Sequence, residues 1–302
     1  MVDVSERSRL ALRPAAPSLV VAAVATTLVL WASAFVGIRA IGDSLSPGPM
    51  ALLRLVAGSL TLTVFLLVRT RGRRPAAPDR RSAFLIAAYG VAWFAGYTVV
   101  LNAAERHLDA GTAAMLVNIG PILVAVVAGR WLGEGYPRPL LIGIVVSFTG
   151  VTVIAVGGAG GPSDRIGLLL GLATAVLYAA GILTQKVTLR RVDSLTATWL
   201  GCVAGMVVLL PFLGPAMAEL ARAPWTAIAA VVYLGVFPTA VGFALWAYAL
   251  TRLDAGAMAA TTLSVPGIVV LMSWALLDEL PSVAGLVGGA LCLLGVAMSR
   301  RR

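Results

Sequence analysis

Ten long apolar runs follow one another along this chain, at about residues 19–41, 48–68, 83–103, 109–129, 138–157, 166–186, 194–213, 225–250, 255–276 and 282–299. A helix needs roughly 20 such residues to cross the hydrocarbon core of a bilayer, and most of the runs have that length. The runs are continuous and about twice as long as the alternating segments of a transmembrane β-barrel. Of the 302 residues, 60% are hydrophobic and only 12% charged. A soluble domain carries about twice that share of charge, so a single water-facing globule is excluded. The expected fold is an all-α membrane protein with ten transmembrane helices.

The net charge of +10 raises the question of nucleic acid, and the positions of the charges answer it. With the N-terminus inside, 18 of the 23 Lys and Arg residues fall in cytoplasmic segments, whereas the outer loops hold only Arg106, Arg165 and Arg222. This is the asymmetry of the positive-inside rule. Both termini are expected in the cytoplasm, and nucleic-acid binding is not expected. All basic residues but Lys186 are arginine, which with the alanine content suggests a bacterial source and hence its inner (plasma) membrane. Ala32-Ser33-Ala34 resembles a signal-cleavage site, but the apolar run continues through Ile41, so the first helix is expected to be retained. Cys202 and Cys292 sit inside apolar runs and His107 is the sole histidine. Neither a metal site nor a cofactor is expected.

Self-comparison reveals a duplication. Leu108-Asp109-Ala110-Gly111 recurs 145 residues later as Leu253-Asp254-Ala255-Gly256, and Pro121, Glu134 and Gly143 recur as Pro266, Glu279 and Gly288. From Ala104 to Val151, 14 of 48 positions are identical at this offset, where composition alone gives about four or five. Earlier positions follow at 147: Thr27 to Thr174, Trp31 to Tyr178, Arg39 to Lys186 and Val56-Ala57-Gly58 to Val203-Ala204-Gly205. The chain therefore divides into a cytoplasmic tail (1–18), a first five-helix repeat (19–157), a second (158–299) and a basic C-terminus (300–302). Five is odd, so the second repeat enters the membrane from the opposite side. Inverted repeats of this kind place a substrate site near mid-bilayer at their interface and suit alternating access.

Trp31-Ala32-Ser33-Ala34-Phe35, Leu53-Arg54-Leu55, Pro121, and Leu132-Gly133-Glu134 through Gly143 and Gly150-Val151 occur in order, and Leu277-Asp278-Glu279, Gly288 and Gly295-Val296 repeat the latter. In this set the chain resembles the ten-helix EamA-type exporters of the drug/metabolite transporter superfamily, over about residues 19–299. The resemblance implies export of amino acids, related small metabolites or drugs. It departs at Tyr178-Ala179-Ala180-Gly181-Ile182, where the aromatic-rich start of the first helix is not repeated.

The candidate substrate path joins mid-span breaks to deep polar and aromatic groups. Pro121 lies roughly 18 Å into its helix and cannot bond the carbonyl of Val117; Asn118 flanks it, and Pro266 with Thr262 makes the matching break. Freed carbonyls at that depth are tolerated beside a wet cavity or a protein partner. Trp31, Trp93, Tyr97, Tyr178 and Trp246 bring polar tips that need partners when buried. Arg54, about six residues into its span, either binds a substrate carboxylate or runs to the outer interface, and the family resemblance favours the interface. Asp109 and Asp254 are expected to cap helix starts, and Glu134 and Glu279 to pin the hairpins they occupy. The small-residue pairs Gly143/Ser147 and Gly285/Gly289 imply close helix contacts, compatible with a homodimer. No carboxylate lies near the middle of a span, so proton coupling would run through Glu105 or another span-end acid; otherwise the substrate gradient drives transport.

The expected function is therefore a secondary transporter, not an enzyme, that exports small molecules across a lipid bilayer by alternating access. A membrane-embedded enzyme acting on lipid or isoprenoid is the alternative. It would need convergent His, Asp or Cys groups at one membrane face.

Overall fold

The computed structural model describes residues 17–72, 77–131, 138–157, 162–250, 252 and 261–299. Among these every regular element is helical. The elements are α1 (Pro17–Ile41), α2 (Pro47–Thr70), α3 (Arg80–Tyr89, continued by Gly90–Tyr97 and Thr98–Ala104), α4 (Ala110–Val117 and Gly120–Trp131) and α5 (Arg138–Gly157). The second half follows with α6 (Pro162–Thr188), α7 (Ser194–Val208, then Leu210–Phe212 and Leu213–Leu220), α8 (Trp225–Leu234, Gly235–Val241 and Gly242–Leu250), α9 (Thr262–Ser264 and Val265–Leu277) and α10 (Val283–Ser299). Five helical stretches are long and apolar enough to cross a membrane, and the bent pair of α7 makes a sixth. This is a multi-pass helical membrane protein. Asp254 and Glu134, expected as a cap and a hairpin pin, lie outside the described residues.

Helix starts follow simple capping chemistry. Asp79, Asp109 and Asp193 each precede a helix and accept from the backbone N–H three residues on, satisfying one of the donors a helix N-terminus leaves orphaned. At the other ends, Arg71 and Asp278 adopt left-handed backbone angles that close α2 and α9.

The packing pairs elements across the two halves. Helix α1 packs on α8 and α9, as α6 packs on α3 and α4; α2 meets α7 and α8, α7 also meets α3, and α5 lies along α10. Three of these contacts need glycine. A side chain on Gly90 would collide with the carbonyl of Gly201, and one on Gly235 would reach the carbonyl of Arg54 at 2.5 Å. On the α5–α10 seam Gly295 sits over the Gly143 carbonyl, with a built Cβ only 2.5 Å away. The same seam and the α4–α10 contact absorb both small-residue pairs singled out from the sequence. Ser147 lies beneath Gly295, while Gly285 and Gly289 pack on Thr112 and Met115. These faces are filled within the chain.

The breaks are more numerous than the sequence suggests. Helix α4 interrupts at Asn118–Ile119, just before Pro121, and α9 begins with a tight 3-10 turn before Pro266. Two further irregularities are π-helical stretches at mid-span, Gly90–Tyr97 in α3 and Gly235–Val241 in α8. π-Bulges of this kind release the regular hydrogen-bond ladder and often mark functional sites.

Candidate functional site

A cavity lies among the helices, lined by aromatic residues (Trp31, Phe35, Trp93, Tyr97, Tyr178, Phe243), by Ala34, Leu101, Val117 and Val265, and by three polar groups, Arg54, Asn118 and Thr262. Its mostly apolar wall with a few polar groups has the composition that small-molecule sites show.

Of the expected path residues, Trp31, Arg54, Trp93, Tyr97, Asn118, Tyr178 and Thr262 meet at this cavity. Pro121, Pro266 and Trp246 do not line it; they shape it from behind. Pro121 has no N–H for the carbonyl of Val117, and Pro266 none for that of Thr262, so both prolines act on wall residues. The Thr262 carbonyl accepts instead from the N–H of Val265, which tightens that turn. Asn118 donates from Nδ2 to the carbonyl of Ala114 at 3.0 Å, closing the first half of α4. Trp246 stacks against Trp31 with ring centroids 4.8 Å apart, and the indole N–H groups of both are buried without a partner.

Arg54 departs from the interfacial placement that the family resemblance favoured. Its residue is 6% exposed and its guanidinium stays in the interior. The reason lies in α8. Pro238 cannot donate to the carbonyl of Leu234, four residues before it, and the hydroxyl of Thr239 donates there instead at 2.9 Å. That hydroxyl still has a lone pair, which accepts from Nε of Arg54 at 2.8 Å. A proline break in one helix thus orients a threonine that holds an arginine from another. Nη1 of Arg54 is left buried with no acceptor. A permanently charged group with an unused donor beside a mostly apolar cavity suits an anion.

The aromatic wall is held as a unit. Trp93 lies edge-on to Tyr89, Tyr178 and Phe243 at centroid distances of 5.2–5.7 Å. It also covers Gly181, where a side chain would meet the indole at 2.7 Å. Asn102 is not in the wall; its Nδ2 donates to the carbonyl of Pro47 and ties the end of α3 to the start of α2. Tyr248 lies farther along α8 under the guanidinium of Arg252, 3.7 Å from the ring centre.

One turn beyond the wall residues Phe35 and Leu101 lie Arg39 and Glu105. Arg39 donates from Nε to both carboxylate oxygens of Glu279, at 3.0 and 3.1 Å, and from Nη1 to the main-chain carbonyl of Glu105. The left-handed turn at Asp278 carries the chain out of α9, and the Glu279 carboxylate ties the α9–α10 hairpin to α1. Asp109 keeps the capping role: Oδ1 accepts from the N–H of Thr112 at 2.8 Å and Oδ2 from its hydroxyl at 2.6 Å.

Sequence reasoning did not find Phe35, Leu101, Phe243, Val265 or Thr239. Pro238, a third mid-span proline, was the available signal for Thr239; the apolar wall residues carry no mark that separates them from core.

A model of the EamA-like transporter family matches residues 18–156 and again 165–301. The chain is 36% identical over 281 residues to a protein of Streptantibioticus cattleyicolor described as a "probable terminal-alkyne amino-acid exporter", covering 93% of each chain. It is 31% identical over 273 residues to the uncharacterized transporter YdfC of Bacillus subtilis, covering 89% of this chain and 87% of that one. A solved crystal structure, 19% identical, superposes with a TM-score of 0.62 over 94% of this chain and 98% of its own, a likeness of fold alone.

Proposed function

The chain belongs to the EamA-like transporter family, and we propose that it is a secondary exporter of small carboxylate-bearing metabolites, amino acids foremost, working by alternating access between two inverted five-helix repeats. The observation that carries this reading is Arg54, with Nη1 unpaired at the edge of an aromatic cavity and Nε fixed by Thr239. A carboxylate on that guanidinium would leave an apolar side chain against Trp31, Trp93 and Phe243. The relative described as a terminal-alkyne amino-acid exporter supports the same substrate class. The reciprocal pairing of helices, α1 with α8 and α9 as α6 with α3 and α4, supports the inverted-repeat reading. The distribution of basic residues supports cytoplasmic termini and a bacterial plasma membrane.

The test is counterflow in proteoliposomes loaded with unlabelled L-propargylglycine and supplied with the labelled compound outside. Arg54→Lys keeps the charge and loses the planar fork. Flux should drop tenfold or more, as removal of a charge-assisted hydrogen bond of about 1.5–3 kcal/mol requires. Thr239→Val should produce part of that loss and Thr239→Ser little. Undiminished counterflow in well-folded Arg54→Lys would remove Arg54 from the site.

A further inference from the structure

Glu105 immediately follows α3 and is 2% exposed. Neither of its carboxylate oxygens has a hydrogen-bond partner. Three other acids at this end of the bundle are engaged, Glu279 by Arg39, Asp109 by Thr112, and Glu219 by the N–H and hydroxyl of Ser46, while Asp43 and Asp278 are exposed. The charged groups that face Glu105 are Arg39 from α1, Arg54 from α2, Asp109 at the start of α4 and Glu279 from the α9–α10 turn. Arg39 turns its fork to Glu279 and gives Glu105 only a bond to the main-chain carbonyl, at 3.2 Å. Arg54 spends Nε on Thr239 and leaves Nη1 without an acceptor.

The interior therefore holds a cation lacking an acceptor and an acid lacking a donor, within electrostatic reach but not bonded to each other. Unsatisfied buried polar groups are costly, charged ones most of all. An apolar ligand relieves neither group, a neutral polar one offsets neither charge, and a simple anion relieves one. A molecule that carries a carboxylate and an ammonium relieves both.

Building on the export reading, we propose that Glu105 is the second half of the substrate site. It receives the ammonium of a zwitterionic amino acid whose carboxylate lies on Arg54, and it exchanges that ammonium for a proton in each transport cycle. Burial pushes the Glu105 carboxyl well above the ordinary carboxylate range; Arg39 and Arg54 oppose this, and Glu279 and Asp109 reinforce it. The empty site thus favours the neutral acid. When the ammonium docks, the carboxyl releases its proton to water and the ion pair forms. When the substrate leaves on the other side, a proton from that side returns to the carboxylate. One net-neutral zwitterion moves against one proton, so a positive charge enters for each substrate exported and both the pH gradient and the membrane potential drive export.

The experiment uses the full chain in proteoliposomes with labelled L-propargylglycine in two assays. Counterflow at equal pH reads substrate exchange, and accumulation under an imposed gradient, acid inside, reads coupling. Wild type should show both. Glu105→Gln cannot ionise and offers the ammonium only a neutral acceptor, so its counterflow should fall at low substrate; at substrate concentrations raised until counterflow is measurable, gradient-driven accumulation should still be lost entirely. Glu105→Asp should keep the gradient response. In detergent, wild-type affinity for propargylglycine should tighten up to tenfold per pH unit as pH rises toward the carboxyl's own range, and affinity for 4-pentynoic acid, which lacks the ammonium, should not. Gradient-driven accumulation by Glu105→Gln, or wild-type counterflow with no response to the gradient, would overturn the proposal while leaving the export reading intact. Absence of wild-type counterflow with either carboxylate probe would overturn the export reading, and this proposal with it.

Discussion

Ser147 and Cys292 hydrogen-bond each other reciprocally, the hydroxyl of Ser147 donating to the carbonyl of Cys292 at 3.0 Å and the thiol of Cys292 to the carbonyl of Ser147 at 3.4 Å. They stand 145 residues apart, the offset of the sequence repeat, so each contacts its own counterpart. Leu55 and Cys202, equivalent at the earlier offset of 147, do the same between α2 and α7, thiol to carbonyl at 3.8 Å. Contacts between equivalent positions are what a two-fold axis relating the halves would produce, which supports the proposed inverted arrangement.

The α5–α10 seam on that axis yields the first prediction. Gly150 and Gly295 are equivalent, and a side chain on either meets the opposite helix. Gly150→Leu and Gly295→Leu should destabilise by similar amounts, about 1–3 kcal/mol for overpacking that the backbone partly absorbs. Melting temperature in detergent measures it; a large difference between the two variants would argue against equivalent roles.

The mid-span prolines should matter for turnover more than for assembly. Pro121→Ala and Pro266→Ala allow a helix hydrogen bond to the carbonyls of Val117 and Thr262, both cavity-wall residues. Membrane levels should hold while propargylglycine counterflow falls several-fold. Wild-type flux in both variants would detach the breaks from the transport path.

Orientation is checked by labelling in intact cells. The native thiols Cys202 and Cys292 are buried, whereas Asp43 and Ala77 are exposed. Asp43→Cys should react with an impermeant maleimide from outside, and Ala77→Cys only after permeabilisation. The reverse pattern would invert the protein in the membrane.

Glu105 should also leave a signature in stability. Its carboxyl titrates above the ordinary range in the folded protein, so the folded state holds a proton that the unfolded chain releases near pH 4.3. Folding is then favoured least at high pH: stability should decline from about pH 4.3 up to the raised folded value and level off above it. Melting curves of the empty protein across pH should show that decline in wild type and a shallower one in Glu105→Gln. Parallel curves would mean that Glu105 does not titrate in this way.

Much of the fold is legible in the chain because the relevant signals are local or comparative. The apolar runs mark the membrane helices, Asp109 before a small-residue start marks a cap, and the recurrence of Pro121 as Pro266 exposes the duplication. The site is legible only in part. Trp31, Tyr97 and Asn118 are conspicuous as polar or aromatic groups at depth, and they do meet at the cavity.

What the sequence by itself determined is that this chain lies in a membrane as helices and repeats itself, since hydrophobic length and self-similarity need no partner. What only the tertiary structure decided is which charges are left unpaired. Arg54 is turned inward by Thr239, 185 residues away, and Arg39 chooses Glu279 over the Glu105 carboxylate. Such choices are competitions among donors and acceptors brought together by packing, and the charges left unpaired inside the bundle exist only once every other pair has formed.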